Sequence, residues 1–473
     1  MRVLSWRLGT RPSKTRIPFR YGKACLVDCP QALLEIKFEI DGRAAIGYAS
    51  DCLPPSWFDK SGCRTFAEQI EDMLNAIAAS AAFLGGLPTI PSLGTAAQLL
   101  WESTTPSEQT KLLDSFGHSM VERCVIDAGC RHYGRSFREL LSSGELYKDY
   151  TTELDAWGIK TSVRPWQRDM STDAISVRHT VGLGDPLTKG DIDCGQRLHD
   201  GLPETLEDHL LQNGICYLKV KVGNHGLDDL NRLLDINRVV ATTGNRNVRY
   251  TIDGNEQYAS IPEFVEFWDE VSSHPDLKLL RDSVLAVEQP LNRSRALEED
   301  ATIGLRDFSR QVPVIIDESD ATKDDCWKAI CLGYSGTSSK ACKGITKALV
   351  NRQLIADVQN GDNDRRLVMT GEDLCCVGVV ALQSDLALVS AMGITHVERN
   401  GHHYHEGLRY LDAAHYDEII ACHGDLYSSV GGVPALKIRD GKISLNSVNH
   451  NGFGFAVDPH FETYQVVRQG NAG

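Results

Sequence analysis

At 473 residues the chain exceeds what one hydrophobic core usually holds, so the expected organisation is a barrel of about 250 residues plus a second domain. A formal net charge of −15 argues against a nucleic-acid or membrane-surface partner, either of which wants a basic face, but leaves a small anionic substrate open. The 14 cysteines form no CxxC pair and no zinc-like block, and Met1–Thr10 carries no secretory signal. They read as reduced, mostly buried thiols of a cytoplasmic protein. No uncharged apolar run approaches the roughly 20 residues of a membrane span.

Up to about Leu53 apolar and polar positions alternate, and Ala32–Asp41 and Ala44–Ala49 around the Asp41-Gly42 turn predict an antiparallel meander. Between its first strands lies Arg11–Gly22, read either as a surface loop or, through Arg16, Phe19, Arg20 and Tyr21, as a cover over an anionic ligand. From Phe66 the period becomes helical: Phe66–Leu84 is one helix and His118–Leu141 a second, with small residues on one side that mark it for close packing. These segments form an α+β domain over 1–172, with Asp155–Met170 as the connection.

Residues 173–431 read as repeated β-then-α units, the pattern of a parallel (β/α) barrel. The predicted strands are Ala174–Val181, Cys216–Val222, Val248–Asp253, Val284–Glu288, Val312–Asp317, Gly336–Cys342, Arg366–Thr370 and Thr395–Glu398. Side chains alternate along a strand, so Lys219 and Lys221 share one face while Leu218, Val220 and Val222 take the other. The outer, helix-facing side should be apolar, which puts both lysines inside the barrel, a costly place for a charge without a counter-charge or a function. On the sixth strand Ser338, Lys340 and Cys342 share a face, so Lys340 reaches the mouth opposite Lys221; Lys343 on the other face has a solvated or structural role.

Strands three, four and five end in Asp253-Gly254-Asn255, Glu288-Gln289-Pro290 and Asp317-Glu318-Ser319. One such acid is as readily a helix cap, but three in register would repel across a narrow mouth. A hard divalent cation relieves that repulsion, and oxygen-only ligation points to magnesium, with manganese as the other fit. The spacing does not choose between Asp317 and Glu318. After strand seven comes Gly371-Glu372-Asp373, and after strand eight Arg399-Asn400-Gly401-His402-His403-Tyr404-His405, where loop or substrate contact is favoured over a separate metal site. Beyond Gly431, over 432–473, Val433–Ile438 and Lys442–Leu445 predict a closing hairpin, and the tail is expected to return to the first domain.

In these motifs the chain resembles the enolase superfamily, and within it the muconate-lactonizing-enzyme-like group of the mandelate racemase/muconate lactonizing enzyme family. Lys219-Val220-Lys221, Asp253-Gly254-Asn255, Glu288-Gln289-Pro290, Asp317-Glu318-Ser319 and Lys340 follow that family's order, and Val121–Leu141 and Asp440–Asp458 resemble its cap helix and C-terminal return. The resemblance implies a modified TIM barrel with an α+β cap, magnesium at Asp253, Glu288 and Asp317, and Lys221 and Lys340 as an acid/base pair supported by Lys219. It further implies a small carboxylate substrate, a closing loop at Arg16–Gly22, and abstraction of the proton alpha to the carboxylate by a racemase, epimerase or cycloisomerase. Contacts to substrate are expected from Arg16, Phe19, Arg20, Tyr21, Asn255, Glu372, Glu398, Asn400 and His402. A symmetric homo-oligomer fits the resemblance. An acid-sugar dehydratase, a lyase in place of an isomerase, is the alternative, and a non-catalytic carboxylate-binding barrel the rival of another class. The strand-eight sequence His396-Val397-Glu398-Arg399-Asn400-Gly401 lacks the Asp-x-Asp common in dipeptide epimerases of the group, which leaves the substrate open.

Overall fold

The structure is a computed structural model that describes residues 1–21, 24–103, 110–146, 157–159, 172–193, 195–245, 247–362 and 364–471, with backbone alone at 21 and 24. Most of the expected connection at 155–170, together with Gly22, lies outside the described residues. Five strands open the chain: β1 (Arg2–Arg11), β2 (Lys14–Tyr21), β3 (Ala24–Asp28), β4 (Gln31–Ile40) and β5 (Arg43–Cys52). β1, β4 and β5 lie antiparallel, and both residues of the Asp41-Gly42 turn take the left-handed backbone that a two-residue hairpin demands. The segment read as a loop is a hairpin instead, with Phe19 opposite Leu26 and Arg20 opposite Cys25. Pro18 and the arginines mask its alternation; a two-stranded ribbon has a free edge on which proline is tolerated.

Helix α1 (Phe66–Gly85) starts at a Thr65–Glu68 capping box. α2 (Leu93–Glu102) was not expected, and the predicted helix His118–Leu141 is two, α3 (Lys111–Tyr133) and α4 (Phe137–Ser142), divided at Gly134, whose φ of 62° ends the first. α3 is buried along nearly its whole length. Missing side chains let it approach its neighbours: a Cβ on Gly47 of β5 would lie 1.9 Å from the Cys124 carbonyl oxygen, and one on Gly117 would lie 2.4 Å from that of Ala76.

Eight parallel strands then form the barrel: β6 (Ala174–Val181), β7 (Tyr217–Lys221), β8 (Arg249–Asp253), β9 (Val284–Glu288), β10 (Val314–Ile315), β11 (Gly336–Ser339), β12 (Val368–Gly371) and β13 (His396–Arg399). Their order is β10-β9-β8-β7-β6-β13-β12-β11. The ring closes between its ends through the Ile316–Thr337 bridge, where the Ser338 amide donates to the Ile316 carbonyl at 2.9 Å. β11 stops before Lys340, and Cys342 and Lys343 belong to a short 3₁₀ turn at Ala341–Lys343, not to the strand.

The tail departs from the expected hairpin. β14 (Tyr427–Val430) pairs with β15 (Val433–Leu436), whereas β16 (Lys442–Ser444) runs antiparallel to β6, joining the barrel; Arg439–Lys442 is an isolated bridge. The turn that decides this is Gly431-Gly432, two consecutive left-handed residues. The last strand, β17 (Gln465–Asn471), adds antiparallel to the free edge of β1. Among the described residues no helix is long and apolar enough to cross a membrane.

Candidate active site

Period-two alternation places the lysines. On β7 Leu218 and Val220 are fully buried against the outer layer, and Lys219 and Lys221 project into the barrel. Lys219 Nζ donates to Glu288 at 2.7 Å, Glu372 at 2.6 Å and Glu398 at 3.2 Å, and lies 3.2 Å from Asp253. Burial alone would lower its pKa, yet these carboxylates outweigh burial and hold the ammonium well above its ordinary value. Lys221 Nζ donates at 3.0 Å both to Asp253 Oδ2 and to Asn255 Oδ1. Lys340 Nζ donates to Asp317 Oδ2 at 2.5 Å, lies 3.9 Å from Glu372, and stands 5.6 Å from the centre of the Trp57 ring. Lys343 Nζ bonds the Asp317 and Ser338 carbonyls and side chains, so it braces the turn from within.

The strand-end acids are held by their motif neighbours. Gln289 Oε1 accepts from the Asp317 and Ser319 amides at 2.7 and 3.2 Å, while its Nε2 donates to the Leu291 carbonyl and Ser319 Oγ. This ties the end of β9 to the start of the Asp317 turn. Asn255 donates to Asp253 Oδ1 from both its amide and its side chain. Asn255, Glu256, Gln289 and Cys375 all hold left-handed backbone, so the strain a non-glycine residue carries there is gathered at the mouth.

The electrostatics correct the argument from repulsion. Five carboxylates (Asp253, Glu288, Asp317, Glu372, Glu398) face five cations (Lys219, Lys221, Lys340, Lys343, Arg178), so four ammonium groups and one guanidinium already offer the charge a counterpart. Against burial, Lys221 and Lys219 draw Asp253 down to about 2, and Lys340 and Lys343 hold Asp317 far below the carboxylate range. Glu288 differs: burial and the nearby Glu372 carboxylate raise it well above its usual value, and its Oε2 is buried without a hydrogen-bond partner. At Lys340 the Asp317 and Glu372 carboxylates outweigh burial and raise the ammonium pKa. As a donor set, three oxygen carboxylates with one orphaned oxygen fit a hard divalent cation. Among the described residues, however, the groups whose ligand atoms gather within 4.8 Å are two histidine-containing clusters and not this trio. Lys219 stands between Asp253 and Glu288, and Asp317 is engaged by Lys340 and Lys343.

These groups line a cavity of about 50 Å³, shared by Lys219, Lys221, Lys340, Asp253, Asp317, Glu318, Asn255, Glu398 and Asn400, and walled by Phe19, Pro54, Trp57 and Leu374. Phe19 comes from the hairpin β2–β3 and stacks on Tyr404 at 4.1 Å between ring centres. Other expected contacts lie elsewhere. Glu372 is fully buried, bonded to Arg178, Lys219 and Thr370. Arg16 is locked to Asp200 by two bonds of 2.6 and 2.9 Å and donates to the His403 carbonyl. Arg20 lines a separate groove of about 910 Å³ beside Gly184, Asp185 and Arg232. His402 contacts His179. The side chain of Tyr21 lies outside the described residues.

Three groups escaped the sequence reading. Arg178 carries a signal, the one Lys, Arg, Asp or Glu within the strand Ala174–Val181. Lys60, which bonds Glu256 and lies 3.6 Å from Glu318, and Trp57, over Lys340, come from a loop after β5 whose position no local pattern encodes.

No protein-family model matches the chain, and no curated protein does. Solved structures do. 2-chloromuconate cycloisomerase from Rhodococcus opacus aligns at 16% identity and a TM-score of 0.63, covering 98% of this chain and 100% of its own. N-succinyl Arg/Lys racemase from Bacillus cereus aligns at 14% and 0.64, covering 99% of both chains. Dipeptide epimerase from Enterococcus faecalis, complexed with Mg and the dipeptide L-Leu-L-Tyr, aligns at 13% and 0.60, covering 96% of this chain and 99% of its own. At such identities the likeness speaks to architecture: the chain has the capped-barrel fold of the mandelate racemase/muconate lactonizing proteins of the enolase superfamily.

Proposed function

We propose that this chain is an enolase-superfamily enzyme that moves the proton alpha to a substrate carboxylate, with Lys221 and Lys340 as the transfer pair. Asp253, Glu288 and Asp317 hold magnesium in this reading, manganese having the same ligand preference. One observation carries it: Lys221 and Lys340 come from β7 and from the turn after β11, yet line one small cavity, each paired with a different strand-end acid. The orphaned Glu288 Oε2 supports the metal assignment, as does the Mg named with the Enterococcus epimerase.

A proton beside a carboxylate is too weakly acidic for an unaided lysine, because its loss leaves a second negative charge. A bound divalent cation would stabilise that charge as it develops. The protein's own groups do the rest. One lysine takes the proton and the other returns it from the opposite side, giving racemisation or epimerisation; the same pair serves cycloisomerisation. Phe19, Trp57 and Leu374 exclude water, which strengthens the electrostatics inside. Lys219, at the cavity wall but engaged by four carboxylates, fixes them in place.

The test is deuterium uptake from heavy water into a library of small carboxylates, incubated with protein and magnesium and read by mass spectrometry. Uptake that chelator abolishes, and that Lys221→Ala or Lys340→Ala reduces, is expected. Chelator-insensitive uptake sinks the metal assignment. A 2-keto product turns the reading to a dehydratase, and no uptake or product across the library turns it to a carboxylate-binding barrel.

A further inference from the structure

Outside the lysine cavity the barrel carries a second concentration of ligand-bearing side chains. On β6 Arg178 and Thr180 face the interior, bonding Glu372 and Glu398, so the intervening His179 points into the layer between barrel and helices. There it meets His209 of the helix Leu206–Gln212 and His402 and His403 of the turn after β13. The His179 and His209 ring centres are 4.1 Å apart. His179 Nδ1 lies 3.2 Å from His402 Nε2, and His209 Nε2 lies 3.0 Å from His403 Nδ1. One ligand nitrogen from each of His179, His209 and His402 falls within 4.8 Å of the other two.

We propose that His179, His209 and His402 form a binding site for a transition-metal dication of the zinc class, separate from the carboxylate site. Imidazole nitrogen without acid or thiolate suits zinc, cobalt or nickel and not magnesium. Zinc–nitrogen bonds of about 2.0–2.1 Å set tetrahedral nitrogen–nitrogen edges near 3.3 Å, close to the 3.2 Å already present between His179 and His402. His209 Nδ1 pairs with Asn213 Oδ1 at 3.0 Å, which puts the proton on Nδ1 and leaves Nε2 as an acceptor that faces His403 Nδ1 at 3.0 Å, a hydrogen bond that a bound metal would replace. His403 Nε2 is buried without a partner, so the cluster does not satisfy its own hydrogen-bonding capacity. Burial holds all four imidazoles below their usual pKa, His209 at about 4, so they are in the neutral form that binds metal. Such a metal would pin β6, the helix Leu206–Gln212 and the 401–404 turn together behind Asn400 and Tyr404, and so stiffen one wall of the lysine cavity.

The experiment is titration of chelator-stripped protein with Co²⁺ in excess Mg²⁺, read by visible absorption and calorimetry. One equivalent is expected to bind with the intense d–d band of a low-coordinate nitrogen-ligated centre. His402→Gln is expected to lose that band and weaken binding by about 100-fold or more, since even a lost orienting partner costs 10- to 100-fold. Glu288→Gln is expected to leave the band unchanged, which separates this site from the carboxylate one. Absence of a band at one equivalent in the wild type overturns the proposal without recourse to any variant. A band that survives in His402→Gln, or disappears in Glu288→Gln, overturns it too.

Discussion

Lys219 Nζ lies 2.6 Å from Glu372 Oε2 and 2.7 Å from Glu288 Oε1, with both acids fully or almost fully buried. A lysine so engaged is a counter-ion first. Replacing it by Met keeps the stem and removes the charge, leaving Glu288, Glu372, Glu398 and Asp253 facing one another without it. Breaking a buried ion pair costs about 3–5 kcal/mol because the partner is left uncompensated. Lys219→Met is therefore expected to lose that much in urea unfolding without divalent metal, and Lys219→Arg much less. A Met variant as stable as the wild type would mean that the carboxylates are neutralised by their own protonation.

Lys221 and Lys340 have different partners, and this makes their roles separable. If each serves one face of the substrate, Lys221→Ala should stop exchange from one enantiomer of a substrate and Lys340→Ala from the other. A positioned general base contributes about 10²- to 10⁴-fold, which sets the expected loss. Equal loss with both enantiomers in both variants would assign the two lysines to one concerted step instead of two mirror-related ones.

The barrel was legible because its two rules are local. Period two sorts Lys219 from Val220, and a turn signal such as Pro290 ends a strand, so β6 and β9 fall on their predicted residues. The motif acids followed, since Asp253 and Glu288 are the last residues of β8 and β9, and Asp317 comes two residues after β10. What local pattern does not carry is what contacts decide from a distance. Arg16 reads as an anion ligand, whereas in the fold Asp200, remote in sequence, holds its guanidinium. Glu372 looked like a mouth residue, but Arg178 and Lys219 draw it inward. β16 reads as half of a hairpin, yet it pairs with Ala174–Ser176, the start of β6 that β7 does not reach.

The cap carries a measurable pH dependence away from the lysines. Asp127 is fully buried in α3, its Oδ2 accepting from the Tyr48 amide at 2.9 Å and Arg131 Nε at 2.8 Å while Oδ1 has no partner. Burial outweighs Arg131 and raises its pKa to about 6 from 3.8. A folded-state carboxyl with a raised pKa keeps its proton longer than the unfolded chain does. Its contribution is therefore complete below pH 4 and lost as pH rises through 6. Asp127→Asn cannot titrate, and its amide still accepts from Tyr48. Its stability relative to the wild type is expected to grow by roughly 2–3 kcal/mol between pH 4 and 7. A difference that is flat with pH in chemical denaturation would show that Asp127 ionises in the fold as readily as in water.

Arg16 and Asp200 test whether the β2–β3 hairpin is fastened by an ion pair or by ligand. Arg16 is 4% exposed in its side chain and Asp200 12%, and the fork-to-fork bonds are joined by donation from Nη1 to the Pro203 and His403 carbonyls. A nearly buried bidentate pair of this kind is lost as a unit. Arg16→Ala and Asp200→Ala are each expected to cost about 2–3 kcal/mol, and the double variant little more than either, a coupling that a double-mutant cycle reads directly. Were Arg16 instead kept for a substrate anion, Asp200→Ala would fall within the roughly 0.5 kcal/mol of an ordinary surface change and the cycle would be additive. The two results also differ in place: only a fastened hairpin brings Phe19 to the wall of the lysine cavity, so the coupled outcome predicts that both single variants expose Phe19 and raise amide exchange along Lys14–Tyr21 by the same factor.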